Sequence, residues 1–380
     1  MWQLRRLGRA ALVIVLVLAS ALAACAPSSA GPPAAPTVAA LAPTGAPQSP
    51  AAGGPAARPA TEPPMPPTRT AVKVRVHGRP EQAQFEIAYR RGYFDRLGLD
   101  VDPVPLGVGA EVTQSLATNQ IQVGSVTPNA ALFNAFNRGI DVRLVADWAH
   151  VGSAADTTIA ILVRDDLAGQ AASLAALKGT TFANGGAPGS IGDLLLQRAL
   201  DKDGLAWSDL DVVYLPIADI TAGLANRKVA AGMLAEPAVT QAEQDGIARV
   251  LYPAGALIPG AQVSVLAFSP EFAAQTDAAT RFLVGYLQGV RDYSDAFHLH
   301  KDRDAVIALL TQYLSLKDAK TWEAFGPAFV DLNGQIDVAD LQAQAAFHAA
   351  RGALTGPAPD VAKFVDPGFA EAAVRQLGRR

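Results

Sequence analysis

Between residues 72 and 146 short alternating runs are separated by helical stretches. Val72-Lys73-Val74-Arg75-Val76 alternates apolar and polar side chains, the period-two pattern of a strand. Pro80 to Arg91 predicts a helix, with Ala83, Ile87 and Phe85 inward. Leu99 to Val104 predicts a second strand, and Val112 to Thr118 a helix. Ile121 to Val126 follows as a third strand, Asn129 to Asn137 as a helix, and Val142 to Ala146 as a fourth strand. Strands alternating with helices indicate α/β units built on mostly parallel strands.

A second run of the same texture follows. Leu177 to Ala183 leads into a strand and Gly189 to Asp203 into a helix. Val212 to Leu215 predicts a strand, Ile220 to Ala225 a helix, Ala230 to Leu234 a strand and Thr240 to Gly246 a helix. From Asp277 the pattern is almost wholly helical, with Phe282, Tyr286, Val290 and Tyr293 at helical spacing. There is an internal echo: Leu116-Ala117 precedes Ile121 and Gly124, and Leu224-Ala225 precedes Val229 and Gly232 at the same spacings. An offset of 108 residues is too long for a solenoid and suits two lobes of similar topology.

Upstream the pattern is different. Arg5, Arg6 and Arg9 precede an apolar run from Ala10 to Ala24, interrupted only by Ser20. The run is shorter than the roughly 20 residues that span a bilayer as a helix, which predicts a secretory signal over 1–24. It ends in Leu22-Ala23-Ala24-Cys25, which resembles the lipobox of bacterial lipoproteins. That resemblance implies a diacylglycerol thioether on Cys25 and a cell-membrane location on the extracytoplasmic face. An ordinary signal peptide that includes a cysteine by chance is the alternative. Residues 26–70 hold 13 of the 27 prolines and no aromatic residue, so they predict a disordered tether. As a flexible coil it would span roughly 35–40 Å.

Composition narrows the partners. Of 380 residues 50% are hydrophobic, enough for one large domain or two lobes. The net charge is −4, and cleavage before Cys25 would remove three arginines and leave −7. A mildly acidic body argues against nucleic acid. One cysteine allows no intrachain disulfide. Five histidines are scattered, and the closest pair, His298 and His300, would point apart on a helix. No metal or cofactor is expected.

The stretch Ala88-Tyr89-Arg90-Arg91-Gly92-Tyr93-Phe94-Asp95-Arg96-Leu97-Gly98-Leu99-Asp100-Val101 resembles the "A…GYF…GLDV" segment of the solute-binding proteins that serve importers of nitrate, alkanesulfonates, taurine and thiamine pyrimidine precursors. Leu177-Lys178-Gly179, Glu236-Pro237, and Phe364-Val365-Asp366 with Phe369 resemble further family segments in the same order. The resemblance covers roughly residues 70–380. Two positions depart from it, since Gln122 and Ala230 stand where the family usually has Asp. It implies an α/β, two-lobed, periplasmic-binding-protein-like (type II) fold with the ligand cleft between the lobes. Lobe one would hold about 71–163 and 266–380, and lobe two about 164–265. The chain would cross near Ile161-Leu162-Val163 and Val263-Ser264-Val265, and closure over ligand would be the working step.

Ligands of open α/β sheets sit at the carboxyl ends of strands. The turn Asn184-Gly185-Gly186-Ala187-Pro188-Gly189-Ser190 joins a strand to a helix. Its glycines and free helix-start N–H groups suit an anion, with Asn184, Gly185, Gly186 and Ser190 as candidates. A plain strand-to-helix turn is the alternative. Ser125 and Thr127 offer a hydroxyl pair in the matching turn of lobe one, unless Thr127 is only a helix cap. Gly78 and Arg79 follow the first strand, and Arg79 could pair with an anionic group or be merely solvated. Trp148 could stack on a planar ligand or pack in the core. Glu236 could accept from a ligand N–H or cap a helix. Tyr89, Tyr93 and Phe182 leave room for a flat aromatic such as a pyrimidine or flavin.

The function implied is capture of a small anionic or planar aromatic nutrient for an ABC permease and its ATPase. A sensor subunit that presents its ligand state to a membrane receptor is an alternative. Enzymes on the same fold, a desulfinase and a pyrimidine synthase, rely on cysteines that residues 26–380 do not contain. The reading is therefore a protein without turnover.

Overall fold

A computed structural model describes residues 69–380, apart from Val108 and Phe325. The expected signal segment, Cys25 and nearly all of the tether lie outside the described residues. The tether's expected end does enter the fold. Arg69 binds Asp95 and Asp100 through its guanidinium, and Thr70 already begins the first strand.

Ten strands are described: β1 (Thr70–Val76), β2 (Leu99–Pro105), β3 (Val123–Val126), β4 (Arg143–His150), β5 (Ile159–Arg164), β6 (Thr181–Gly185), β7 (Asp211–Leu215), β8 (Ala231–Ala235), β9 (Ala248–Pro253) and β10 (Gln262–Phe268). They form two five-stranded sheets, in the orders β2-β1-β3-β10-β4 and β7-β6-β8-β5-β9. In the first, β1 pairs parallel with β2 and β3, while β10 runs antiparallel between β3 and β4. In the second, β6 pairs parallel with β7 and β8, and β5 runs antiparallel between β8 and β9. The two orders are the same arrangement, with one return strand inserted beside the third parallel strand. Each sheet with its packed helices is one lobe of a two-lobed α/β fold.

The internal echo marks equivalent places in the two lobes. Leu116 and Leu224 are fully buried on the helices Ala110–Ala117 and Ile217–Ala225. Gly124 in β3 and Gly232 in β8 let these helices approach the sheets. A Cβ on Gly124 would lie 3.1 Å from Val112 Cγ1, and one on Gly232 2.8 Å from Ile220 Cγ2. Val112 and Ile220 each stand twelve residues ahead of their glycine.

The expected crossings fall elsewhere. Ile161, Leu162 and Val163 lie within β5, and Val263, Ser264 and Val265 within β10. The chain passes between the sheets earlier, at 151–158 and 254–261. β5 is interior to its sheet with Ala160, Ile161 and Leu162 fully buried, so it is an unbroken apolar run without alternation. β9 also has no alternation, and the sequence pattern did not predict it.

The first lobe is organised around the helix Thr276–Phe297. Phe282, Leu283, Tyr286, Leu287 and Val290 are fully buried on one broad face. Phe282 stacks on Phe94 at 4.7 Å and meets the edges of Phe268 and Phe272. The Tyr286 hydroxyl donates to the Asp147 carbonyl at 2.9 Å, which fixes β4 to this helix. Among the described residues no helix is long and apolar enough to cross a membrane.

Candidate functional site

A cavity of about 280 Å³ lies between the lobes. Its first-lobe wall comes from the carboxyl ends of β1 and β3 and from Trp148 of β4. Its second-lobe wall comes from Thr158, Ile159, Ile191, Met233 and Glu236. Of the residues expected from sequence, Arg79, Ser125, Thr127, Trp148 and Glu236 line it. Gly78, Asn184, Gly185, Gly186 and Ser190 do not.

The glycine-rich turn is turned inward by a carboxylate. Asp193, in the first turn of the helix Ile191–Asp203, accepts from Asn184 Nδ2, from the Gly189 N–H and from the Tyr214 hydroxyl, each at 2.8 Å. The negative charge that suits this helix start thus comes from the chain itself. Asn184 is fully buried. The Ser190 hydroxyl donates back to the Gly185 carbonyl at 3.4 Å, and Gly185 packs against Met233 and Ile217. Gly189 instead meets the other lobe, where its carbonyl accepts from the Ala130 N–H at 2.8 Å. Gly78 is a turn residue at φ 69° whose carbonyl accepts from the Ser315 N–H.

The site's charge is set by a residue that alternation disguised. Arg75 is the last polar residue of β1 and is only 5% exposed. Its Nη1 donates to the Ser125 hydroxyl at 3.0 Å and its Nε to the Gly107 carbonyl at 3.1 Å. No carboxylate among the described residues forms an ion pair with it. Burial first, then the neighbouring Arg79 charge, pull its guanidinium down to about 10, against a partial counter-effect of Glu81. His77 follows on the same strand end and also lines the cavity. Burial and the charges of Arg75 and Arg79 push its imidazole down to about 3. Sequence gave little warning of either residue, since Arg75 and the exposed Lys73 share the polar face of one alternating strand. The signal was position: only Arg75 and His77 stand at the strand's carboxyl end.

The remaining wall is apolar or already bonded. Trp148 is 4% exposed, stacks on Tyr286 at 5.5 Å, and donates from Nε1 to the Glu81 carbonyl at 2.8 Å. It therefore serves both the core and the cavity. Tyr89, Tyr93 and Phe182 do not reach the cavity. Tyr89 stacks on Phe85, Tyr93 bonds Asp292 through its hydroxyl, and Phe182 sits in the second lobe's core. Glu236 accepts from the Thr240 N–H at 3.0 Å and hydroxyl at 2.9 Å, as a helix cap would. It also accepts from the Gly326 N–H of the first lobe at 3.3 Å. Burial raises its carboxyl above the usual carboxylate range. Together with the Ala130–Gly189 bond, this contact joins the lobes across the cleft.

The cavity thus offers many donors and few free acceptors. Ser125 keeps its hydroxyl proton while its oxygen accepts from Arg75. Asn129 spends its side-chain oxygen on the Leu132 N–H at 2.9 Å, which leaves its amide N–H groups. The Arg79 guanidinium has no hydrogen-bond partner among the described residues. Such a set suits an acceptor-only group, an oxyanion, with an apolar body against Trp148, Ile159 and Met233.

Solved structures share the fold, three of them as follows. The alkanesulfonate-binding protein SsuA from Xanthomonas axonopodis pv. citri, bound to MOPS, is 21% identical with a TM-score of 0.62, covering 79% of this chain and 99% of that one. The periplasmic nitrate-binding protein NrtA from Synechocystis PCC 6803 is 14% identical with a TM-score of 0.65, covering 82% and 89%. A DszB mutant in complex with biphenyl-2-sulfinic acid is 15% identical with a TM-score of 0.59, covering 80% and 99%. The chain has no match among curated proteins. The profile of the NMT1/THI5-like family matches residues 79–295, more than half of the sequence and both lobes. The chain belongs to the NMT1/THI5-like family and has its type II periplasmic-binding-protein fold.

Proposed function

We propose that this protein is the extracytoplasmic solute-binding component of an ABC importer. It captures a small organic anion by lobe closure and hands it to a membrane permease. The observation that carries this reading is Arg75, a buried cation without a carboxylate partner at the junction of two lobes. Burying a charge is costly unless something opposite meets it. A bound oxyanion would supply that opposite charge. Its remaining oxygens would take the Ser125, Thr127 and Arg79 donors, and its apolar body would lie on Trp148 and the second lobe.

Alkanesulfonates fit this division into an anionic head and an apolar body, and one structural neighbour is an alkanesulfonate-binding protein. Binding without turnover is the consistent reading, because residues 69–380 hold no thiol nucleophile. Lipid attachment at Cys25 would hold the domain near its permease through the proline-rich segment.

Native mass spectrometry of the purified protein, followed by thermal shifts against sulfonates, nitrate, pyrimidines and flavins, tests the proposal. A stoichiometric organic anion that raises the melting temperature supports it. A panel without any shift, or steady conversion of a bound compound, would sink it.

A further inference from the structure

Three basic side chains, Arg75, His77 and Arg79, line one wall of the cleft, and their count suggests a site with three cations. The geometry points to a different assignment: His77 is a fixed neutral hydrogen-bond donor of the anion site, with its proton on Nε2. This rests on the cleft being the ligand site and adds to that reading how one residue selects the ligand.

The turn that carries His77 is held from within. The buried Gln82 accepts the N–H groups of His77 and Gly78 on Oε1, at 2.7 and 3.0 Å. Gln82 in turn donates from Nε2 to Glu86 at 3.2 Å. The backbone of residues 77 and 78 is therefore fixed before any ligand arrives. Within that turn the His77 Nδ1 accepts the Arg79 backbone N–H at 3.2 Å. A nitrogen that accepts a hydrogen bond carries its lone pair, so the single proton of the neutral ring sits on Nε2. Charging the ring would break this bond and place a third cation beside Arg75 and Arg79. The other ionisable groups on the cavity wall offer no strong relief: Glu81 is exposed, Glu236 is spent on Thr240 and Gly326, and Tyr293 is a neutral phenol. Burial and both guanidiniums hold the imidazole far below its ordinary range. No protein group among the described residues takes the Nε2 proton, which leaves it for the ligand.

The consequence is specificity without pH dependence. A neutral donor between two cations recognises an acceptor atom by position, and it keeps doing so when the surroundings acidify. The test uses histidine-labelled protein without ligand, with His77→Gln to assign the His77 signals. Long-range proton–nitrogen NMR should show the Nε2–H tautomer for His77, unchanged from about pH 5 to 8. A titration midpoint inside that window, or an Nδ1–H ring, overturns the assignment. Calorimetry with benzenesulfonate as probe adds a second arm. Wild-type affinity should vary less than about twofold over the window. His77→Gln, which keeps a neutral donor, should lose little, and His77→Leu should lose about tenfold or more. Affinity that rises tenfold toward acid would contradict the assignment. If benzenesulfonate gives no heat, the sulfonate reading of the cleft fails, and the NMR result still decides the state of His77.

Discussion

Arg75 and the pair Asp147–His150 show how single residues trade stability against use. Arg75 is charged at neutral pH although burial disfavours that charge, so it lowers stability in the absence of ligand. Arg75→Met should abolish binding of an organic anion while leaving the melting temperature unchanged or a few degrees higher. Calorimetry and thermal melts on the same variant separate the two effects. A large loss of stability would mean that the bonds to Gly107 and Ser125 outweigh the buried charge. The second case concerns pH. Burial alone would lower the His150 imidazole, but its bond from Nδ1 to the fully buried Asp147 at 2.6 Å raises it. A raised folded-state value gives stability that is complete below the ordinary histidine range near 6.5 and is lost as pH climbs through the raised value. The stability that wild type holds over His150→Gln should therefore be largest near pH 6 and shrink toward pH 8.5, whereas His77, His298 and His348, which burial lowers, act in the opposite sense in both proteins. Paired thermal melts of wild type and His150→Gln check this, and a difference between them that stays constant or grows toward pH 8.5 would refute it. At this scale chemistry and strand-end position sufficed to place Arg79, Ser125 and Thr127 on the cavity wall. Sequence could not show that Asn184 and Ser190 stand off the cavity wall, because that depends on side-chain direction: Asp193 takes the Asn184 amide, and the Ser190 hydroxyl turns back to Gly185.

Strands and helices were readable where one face meets water. β1 and the helix Thr276–Phe297 carry clear periods because each has an exposed side. β5 was hidden for the opposite reason: it is buried on both faces and has no alternation to detect. β10 was mistaken for a crossing because pairing on both edges also buries much of it. The echo around Gly124 and Gly232 was faint in sequence and is firm in space. It records the requirement that a helix lie close on the third parallel strand of each lobe. The two glycines differ in tolerance. A Cβ at Gly232 would meet the Ala183 carbonyl at 2.8 Å as well as Ile220, whereas Gly124 faces side chains at 3.1 Å and beyond. Backbone yields less than a side chain does. Gly232→Ala should cost about 1–3 kcal/mol in chemical denaturation and Gly124→Ala distinctly less. Equal losses would show that both sheets absorb the added methyl group in the same way.

The described residues place the two lobes in contact, through polar, aromatic and apolar contacts. Gly189 sits at φ 82°, and a Cβ there would lie 2.4 Å from the Cβ of Ala130. Arg351 reaches the second lobe, donating to Gln197 Oε1 at 3.1 Å and lying 3.8 Å over the Trp207 ring. Gly189→Ala should therefore hinder closure. Small-angle scattering should show little or no contraction on adding ligand, and affinity should fall by about tenfold or more. A variant that contracts like the wild type would remove Gly189 from the closing surface. The sheet orders carry one more consequence. All five strands of the second sheet, β5 to β9, come from one unbroken stretch of chain. The first sheet is not contiguous, because β4 is joined to it only through β10, made about a hundred residues later. As the chain emerges during synthesis, the second lobe can acquire its complete sheet while the first still waits for its penultimate strand and central helix. The lobe that begins the domain is then the last to finish, and a chain that has emerged from the ribosome only as far as residue 261 would display a complete second sheet beside an open, unpaired edge of the first.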